Sequence, residues 1–154
     1  MNIIKLTTAT LLTLGLATSL MAGSALSQSL IKEAKKTTQS ISPKELKKLI
    51  DNEEDFWFVD VREPWMIPEG SIDGGETVEI PRGIMEFDIG GKIKKHDELI
   101  VVYCRSGKSA VLAAETLNHK MHYKNVKYLE GGLNGWLDAG YSIYNAFGEL
   151  KLAE

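Results

Sequence analysis

The chain has 154 residues, with 18 Lys and Arg set against 21 Asp and Glu for a formal net charge of −3. That balance excludes the basic surface on which a nucleic-acid partner depends. A single cysteine, Cys104, excludes an internal disulfide.

The chain opens with one positive charge within Met1 to Lys5, then an uncharged Leu-, Ala- and Thr-rich stretch from Leu6 to Met21, then small residues from Ala22 to Ser27. This is the three-part layout of a secretory signal peptide over 1–27, with cleavage expected between residues 22 and 27. The apolar stretch is short for a membrane span and diluted by threonine, so stable membrane insertion is not expected. No cysteine follows it to carry a lipid. The periplasm is the expected destination. About 130 residues then remain, the size of one domain with a sizeable core. Residues 28–40 are polar and lysine-bearing and read as a flexible lead-in; the folded domain is expected over 41–147, with a C-terminal tail over 148–154.

Within the domain, Ser42-Pro43-Lys44-Glu45 opens a helix with a serine cap, proline at the first position and glutamate three residues after the cap. Leu46, Leu49 and Ile50 give that helix one apolar face. Phe56 to Val61 is an aromatic and β-branched strand ending at Arg62-Glu63-Pro64. Thr77 to Ile80 is a short strand closed by Pro81-Arg82-Gly83; Ile84 to Phe87 forms a helical turn, and Gly90-Gly91 marks a loop. Leu99 to Tyr103 has the continuous apolar pattern of a strand covered on both faces, and Ala110 to Leu117 follows as a helix. Asn125 to Leu129 is the last strand, and Gly132 to Ala139 a terminal helix. Strands alternating with helices predict an α/β domain with a mainly parallel central sheet flanked by helices, with ligands at the carboxyl ends of the strands.

Cys104 falls at such an end. Cys104-Arg105-Ser106-Gly107-Lys108-Ser109 joins a strand to a helix through small residues, the arrangement that wraps backbone N–H groups around an anion. The helix dipole and the neighbouring Arg105 and Lys108 both favour the nucleophilic thiolate there. A structural cysteine has no use for two cations and a glycine beside it. Export sharpens this, because an unpaired thiol in an oxidising compartment is a liability unless it is used. Backbone N–H groups from Arg105 to Ser109 are expected to hold an anionic sulfur, while Arg105 and Lys108 draw in a dianion.

Other chemistries fit less well. A nucleotide-binding loop needs a glycine where Val102 stands. His119 and His122 have a metal-pair spacing but no third ligand is apparent, and a histidine also suits a helix C-terminus. His96 lies between Lys95 and Asp97 and reads as solvated. No histidine stands out as a base for a Cys–His pair, so the chemistry rests on a thiolate stabilised by its loop.

The six residues Cys104 to Ser109 resemble the active-site loop of the rhodaneses, the thiosulfate sulfurtransferases. The resemblance runs from about Ile41 to Tyr141 and takes in Asp60 to Trp65, Ile80 to Gly83, Leu129 to Trp136 and Ala139 to Tyr141, in the family's order. An exported single-domain chain is most similar to the small periplasmic rhodaneses of the phage shock protein E type. After the second strand the family commonly has histidine, isoleucine, proline and glycine, whereas this chain has Gly70-Ser71-Ile72-Asp73-Gly74-Gly75. The resemblance implies a two-step cycle in which Cys104 takes the outer sulfur of thiosulfate as a persulfide and passes it to cyanide or a thiol. It implies Arg105, Ser106, Gly107, Lys108 and Ser109 as the anion-binding loop, Asp60 and Arg62 as support, and no metal or organic cofactor. Relatives that act on mercaptopyruvate tend to have an uncharged loop, so the two cations favour thiosulfate. The rival reading is a slow or non-catalytic persulfide carrier that delivers sulfur to a partner protein. A cysteine phosphatase of the same fold would carry a longer loop, with arginine where this chain has Ala110.

Overall fold

The computed structural model describes residues 25–152, so the expected leader lies outside the described residues up to Ser24. Two compact units divide the chain, residues 1–33 and residues 34–154. Of the first, residues 25–33 are described and are helical. The second contains every strand found among the described residues.

The sheet begins at β1 (Gln39–Ile41), followed by α1 (Pro43–Asp51), β2 (Trp57–Asp60), a 3-10 segment (Pro64–Glu69) and β3 (Glu76–Glu79). A second 3-10 turn (Arg82–Ile84) leads into α2 (Met85–Lys92), then β4 (Leu99–Tyr103), α3 (Lys108–His119), β5 (Asn125–Leu129) and α4 (Gly132–Asp138). A small antiparallel hairpin, β6 (Ile143–Asn145) and β7 (Gly148–Leu150), ends the domain. The five central strands run in the order β1-β5-β4-β2-β3, and all four pairings are parallel.

β4 is therefore the central strand. Its run Leu-Ile-Val-Val-Tyr is covered on both faces, with Ile100, Val101, Val102 and Tyr103 all buried. On one face Phe58, Val101, Tyr103 and Leu129 pack against Leu46 of α1 and Leu133 and Trp136 of α4. α3 covers β4 and β5 on the other, burying Val111, Ala114 and Leu117. The chain leaves β4 for β5 on one side and leaves β2 for β3 on the other. The carboxyl ends of β4 and β2 thus flank a topological switch point, where the two outgoing connections diverge and leave a crevice.

The α1 cap is as its sequence predicts. The Ser42 hydroxyl accepts from the Glu45 amide at 3.3 Å, and the Glu45 carboxylate accepts from the Ser42 amide at 2.9 Å. The Ser42 hydroxyl also donates to the Glu45 carboxylate at 2.6 Å, and this bond first, then the one from the Ser42 amide, holds the Glu45 carboxyl below its ordinary range.

Three expectations change. The lead-in over 28–40 is helical through Thr37 and then enters the sheet at Gln39. A three-residue edge strand that buries only Ile41 has no periodicity to announce it. The tail over 148–154 supplies β7. Gly90 and Gly91, expected in a loop, lie inside α2: Met85 and Ile89, four residues apart and both fully buried, anchor the helix, and the two exposed glycines are carried along. Among the described residues no helix is long and apolar enough to cross a membrane.

Candidate active site

β4 delivers Cys104 to the switch point. Its hydrogen-bonded pairing ends at Tyr103, and the chain turns through Gly107, at φ +79°, into α3. Cys104 is 5% exposed. Arg105, Ser106, Lys108 and Ser109 are exposed, while Gly107 is buried beneath them.

The loop is tied down by its carbonyls. The amides of Leu133 and Asn134 donate to Cys104 O at 2.9 Å and Arg105 O at 3.0 Å, and Val111 donates to Gly107 O at 3.0 Å. From Arg105 to Ala110 no amide donates to a backbone carbonyl among the described residues. With carbonyls bonded to α4 and α3 and N–H groups uncommitted, the loop next to Cys104 keeps free the donors that stabilising negative charge on sulfur requires.

Gly131 and Gly132 make this arrangement possible. A Cβ on Gly132 would stand 2.2 Å from Cys104 O and 2.7 Å from Gly107 N, and its φ is +58°. Gly131, at φ +70°, would place a Cβ 2.8 Å from Gly135 Cα. Only glycine lets the start of α4 approach the loop this closely. In the sequence the pair reads as punctuation between a strand and a helix; its bearing on the site comes from contact with the Cys104 loop, 25 to 28 positions before Gly132.

Asp60 and Arg62 lie beneath the end of β2. They form a bidentate ion pair, Nη2 to Oδ2 at 2.6 Å and Nε to both carboxylate oxygens at 3.0 Å, with both side chains fully buried. Arg62 also donates to Ser71 Oγ at 2.9 Å and lies 5.5 Å from the centroid of the Tyr103 ring. Desolvation works against its charge, but the bonds to Asp60 and that carboxylate's attraction prevail and hold the guanidinium above its ordinary range. Tyr103, the residue before Cys104, pairs in register with Asp60 and stacks on Phe58 at 4.3 Å. Burial first, and then the Asp60 charge, push its phenol well above the ordinary range, and among the described residues its hydroxyl makes no hydrogen bond of good geometry. Asp60 and Arg62 are thus joined to the strand that carries Cys104 through Tyr103.

The two loop cations differ. The Arg105 guanidinium is held by Glu69, Nη2 lying 2.9 Å from each carboxylate oxygen. Lys108 makes no ion pair among the described residues. Nothing in the sequence links Glu69 to Arg105, since they lie 36 positions apart.

The histidines are elsewhere. His96 precedes β4 and stacks on Tyr123 at 4.2 Å, and His119 lies 3.3 Å from Thr37 O at the far end of α3. That end is ~16 Å from the loop at about 1.5 Å of helix rise per residue. His122 lines the same surface cleft as His119, with Thr37 and Lys124. No cluster of three or more metal-ligating side chains occurs among the described residues.

A family model of the rhodanese-like domain matches residues 42–139. No curated protein matches the chain. Among solved structures, a protein of unknown function from Rhodopseudomonas palustris, described as a possible tyrosine phosphatase, is similar at 29% identity with a TM-score of 0.67, covering 76% of this chain and 92% of its own. The polysulfide-sulfur transferase homodimer of Wolinella succinogenes is similar at 26% identity and a TM-score of 0.65, covering 85% and 91%. The thiosulfate sulfurtransferase of Pseudomonas aeruginosa shares the fold at 19% identity and a TM-score of 0.68, over 81% of this chain and 23% of that one.

Proposed function

The chain belongs to the rhodanese-like domain family, and from that premise we propose that it is a sulfurtransferase acting through a persulfide on Cys104, with thiosulfate as donor and cyanide or a thiol as acceptor. The observation that carries this reading is the Cys104 loop, with its carbonyls bonded to α4 and α3 and its N–H groups uncommitted next to the only cysteine. In the first step the Cys104 thiolate attacks the outer sulfur of thiosulfate. The new S–S bond forms as the old one breaks, and sulfite departs with the bonding pair. Charge is conserved, since a thiolate and a dianion become a persulfide anion and a dianion. The N–H groups of residues 105–109 stabilise the sulfur that holds the negative charge. In the second step the acceptor attacks the outer persulfide sulfur and the Cys104 thiolate is the leaving group.

The polysulfide-sulfur transferase among the similar structures supports sulfur transfer as the reaction class. A phosphatase reading has less support, because Ala110 stands where the phosphatase arginine would be. The layout of residues 1–27 supports export and a mature periplasmic protein of the small phage shock protein E type. Fractionation tests this: the full-length chain in the membrane pellet would contradict it.

The Glu69–Arg105 pair favours a second reading, a slow carrier that exchanges sulfur with a partner protein, because it weakens the attraction for a small dianion. Mass spectrometry after incubation with thiosulfate is expected to find one added sulfur on the wild type and none on a folded Cys104→Ser variant. Steady-state assay with thiosulfate and cyanide separates the readings, since rapid turnover supports the enzyme and loading without turnover the carrier. Sulfur transfer by folded Cys104→Ser would overturn both.

A further inference from the structure

Glu69 ends the 3-10 segment, and its backbone is held from both sides. Gly70 donates to Ile67 O at 3.0 Å and takes φ +127°, with so little room that a Cβ there would meet Ile143 Cδ1 at 2.8 Å. Ser71 exchanges backbone bonds with Tyr144 at 2.8 and 2.9 Å and accepts from the buried Arg62 at 2.9 Å. The segment is anchored to the hairpin on one side and to the Asp60–Arg62 pair on the other. Its carboxylate reaches across the switch point to the residue next to Cys104.

Such a pair does little for stability. Arg105 is 51% exposed and Glu69 36%, and ion pairs this exposed contribute little to folding. Its larger consequence is for the field at the thiol. Arg105 and Lys108 together would draw a dianion; with Arg105 neutralised by Glu69, Lys108 is left as the loop's unpaired cation. Glu69 engages only Nη2, so the other guanidinium donors stay oriented but the net charge beside Cys104 is reduced.

From this arrangement we infer that Glu69 is a specificity-determining residue, whose carboxylate discounts the charge of Arg105 and so disfavours dianionic sulfur donors relative to donors carrying less charge. The inference rests on the sulfurtransferase reading for its substrates. The charge effect itself can be read without any sulfur transfer.

Cys104 is the only cysteine, so its alkylation is a clean probe of the path to the sulfur. The measured quantity is the rate with iodoacetate, an anion, divided by the rate with neutral iodoacetamide, at low ionic strength. Glu69→Gln is expected to raise this ratio about two- to fivefold, the range of one exposed ion pair. Arg105→Gln is expected to lower it, and the double variant to return it close to the wild-type value. The Glu69→Gln gain should shrink as salt is added. A parallel assay should show kcat/KM for thiosulfate rising by a similar factor in Glu69→Gln, while the rate with an organic persulfide donor changes less. An unchanged ratio in Glu69→Gln, equal changes with both reagents, or no alkylation of wild-type Cys104 by either would overturn the inference. If the ratio moves as expected but wild-type protein acquires no sulfur from any donor, the sulfurtransferase reading falls while the charge effect of Glu69 stands.

Discussion

Two loops meet at the carboxyl edge of the sheet, and only one of them relies on a buried ion pair. The loop after β4 is fixed by backbone bonds: amides of α4 and α3 grip its carbonyls, and the side chains of Arg105, Ser106, Lys108 and Ser109 remain at the surface. The segment after β2 has backbone bonds to the hairpin through Ser71 and Tyr144, but it also depends on side chains, the buried Asp60–Arg62 pair and its bond to Ser71. A backbone-held loop can vary its side chains freely but tolerates no added atom where the backbones touch. A loop pinned by a buried ion pair has the reverse sensitivity, since loss of one charge leaves the other stranded. The division suits the chemistry, because donors that must not move are backbone groups, while the residue that adjusts charge sits on the neighbouring segment.

The largest expected effect comes from breaking the region that relies on the ion pair. Arg62→Ala strands the Asp60 carboxylate in the core and should cost roughly 3–5 kcal/mol in urea unfolding. In whatever protein stays folded, iodoacetamide should still react with Cys104 at close to the wild-type rate, because the cysteine loop is tied to α4 and α3. A collapse of that reactivity would show the two loops to be one unit.

Gly132→Ala attacks the other region. Its Cβ would overlap Cys104 O, and the positive φ adds strain, so a loss of about 2–3 kcal/mol is expected. The greater change should be in chemistry, with sulfur loading of Cys104 falling by about a hundredfold as the N–H groups lose their aim. Near-normal loading would mean the close approach of α4 is incidental.

Tyr103 is shared by both regions, since its carbonyl accepts from Val61 at 3.0 Å and its ring lies against Arg62. Burial raises its phenol above the value it has in the unfolded chain, which ionises at about pH 10. Above that pH the unfolded state binds fewer protons than the native one, so stability falls as pH rises. Tyr103→Phe should make that alkaline decline shallower. Near neutral pH it should change stability by less than about 1 kcal/mol, because the hydroxyl it removes makes no hydrogen bond of good geometry among the described residues. Tyr123 and Tyr128 are also shifted upward by burial, so part of the decline should remain. An equally steep decline in Tyr103→Phe would remove Tyr103 from the account.

The order of strands and helices, the α1 cap and the place of Cys104 at a strand end were legible because each depends on neighbours within a few residues. Apolar runs mark buried strands, and Ser-Pro-x-Glu marks a helix start whatever surrounds it. β1 and the β6–β7 hairpin were not legible, since three-residue strands leave no periodic trace. The sequence by itself determined that a lone thiol would stand between a strand and a helix with two cations beside it. Only the tertiary structure decided which cation is paired with a carboxylate, because Glu69 comes from a different connection at the switch point. It alone decided, too, that Gly132 must lack a side chain, because that need arises where α4 presses on the loop. Local rules govern hydrogen bonds three or four residues apart; contacts across the sheet edge depend on how parallel strands are ordered, and strand order is written in no single segment.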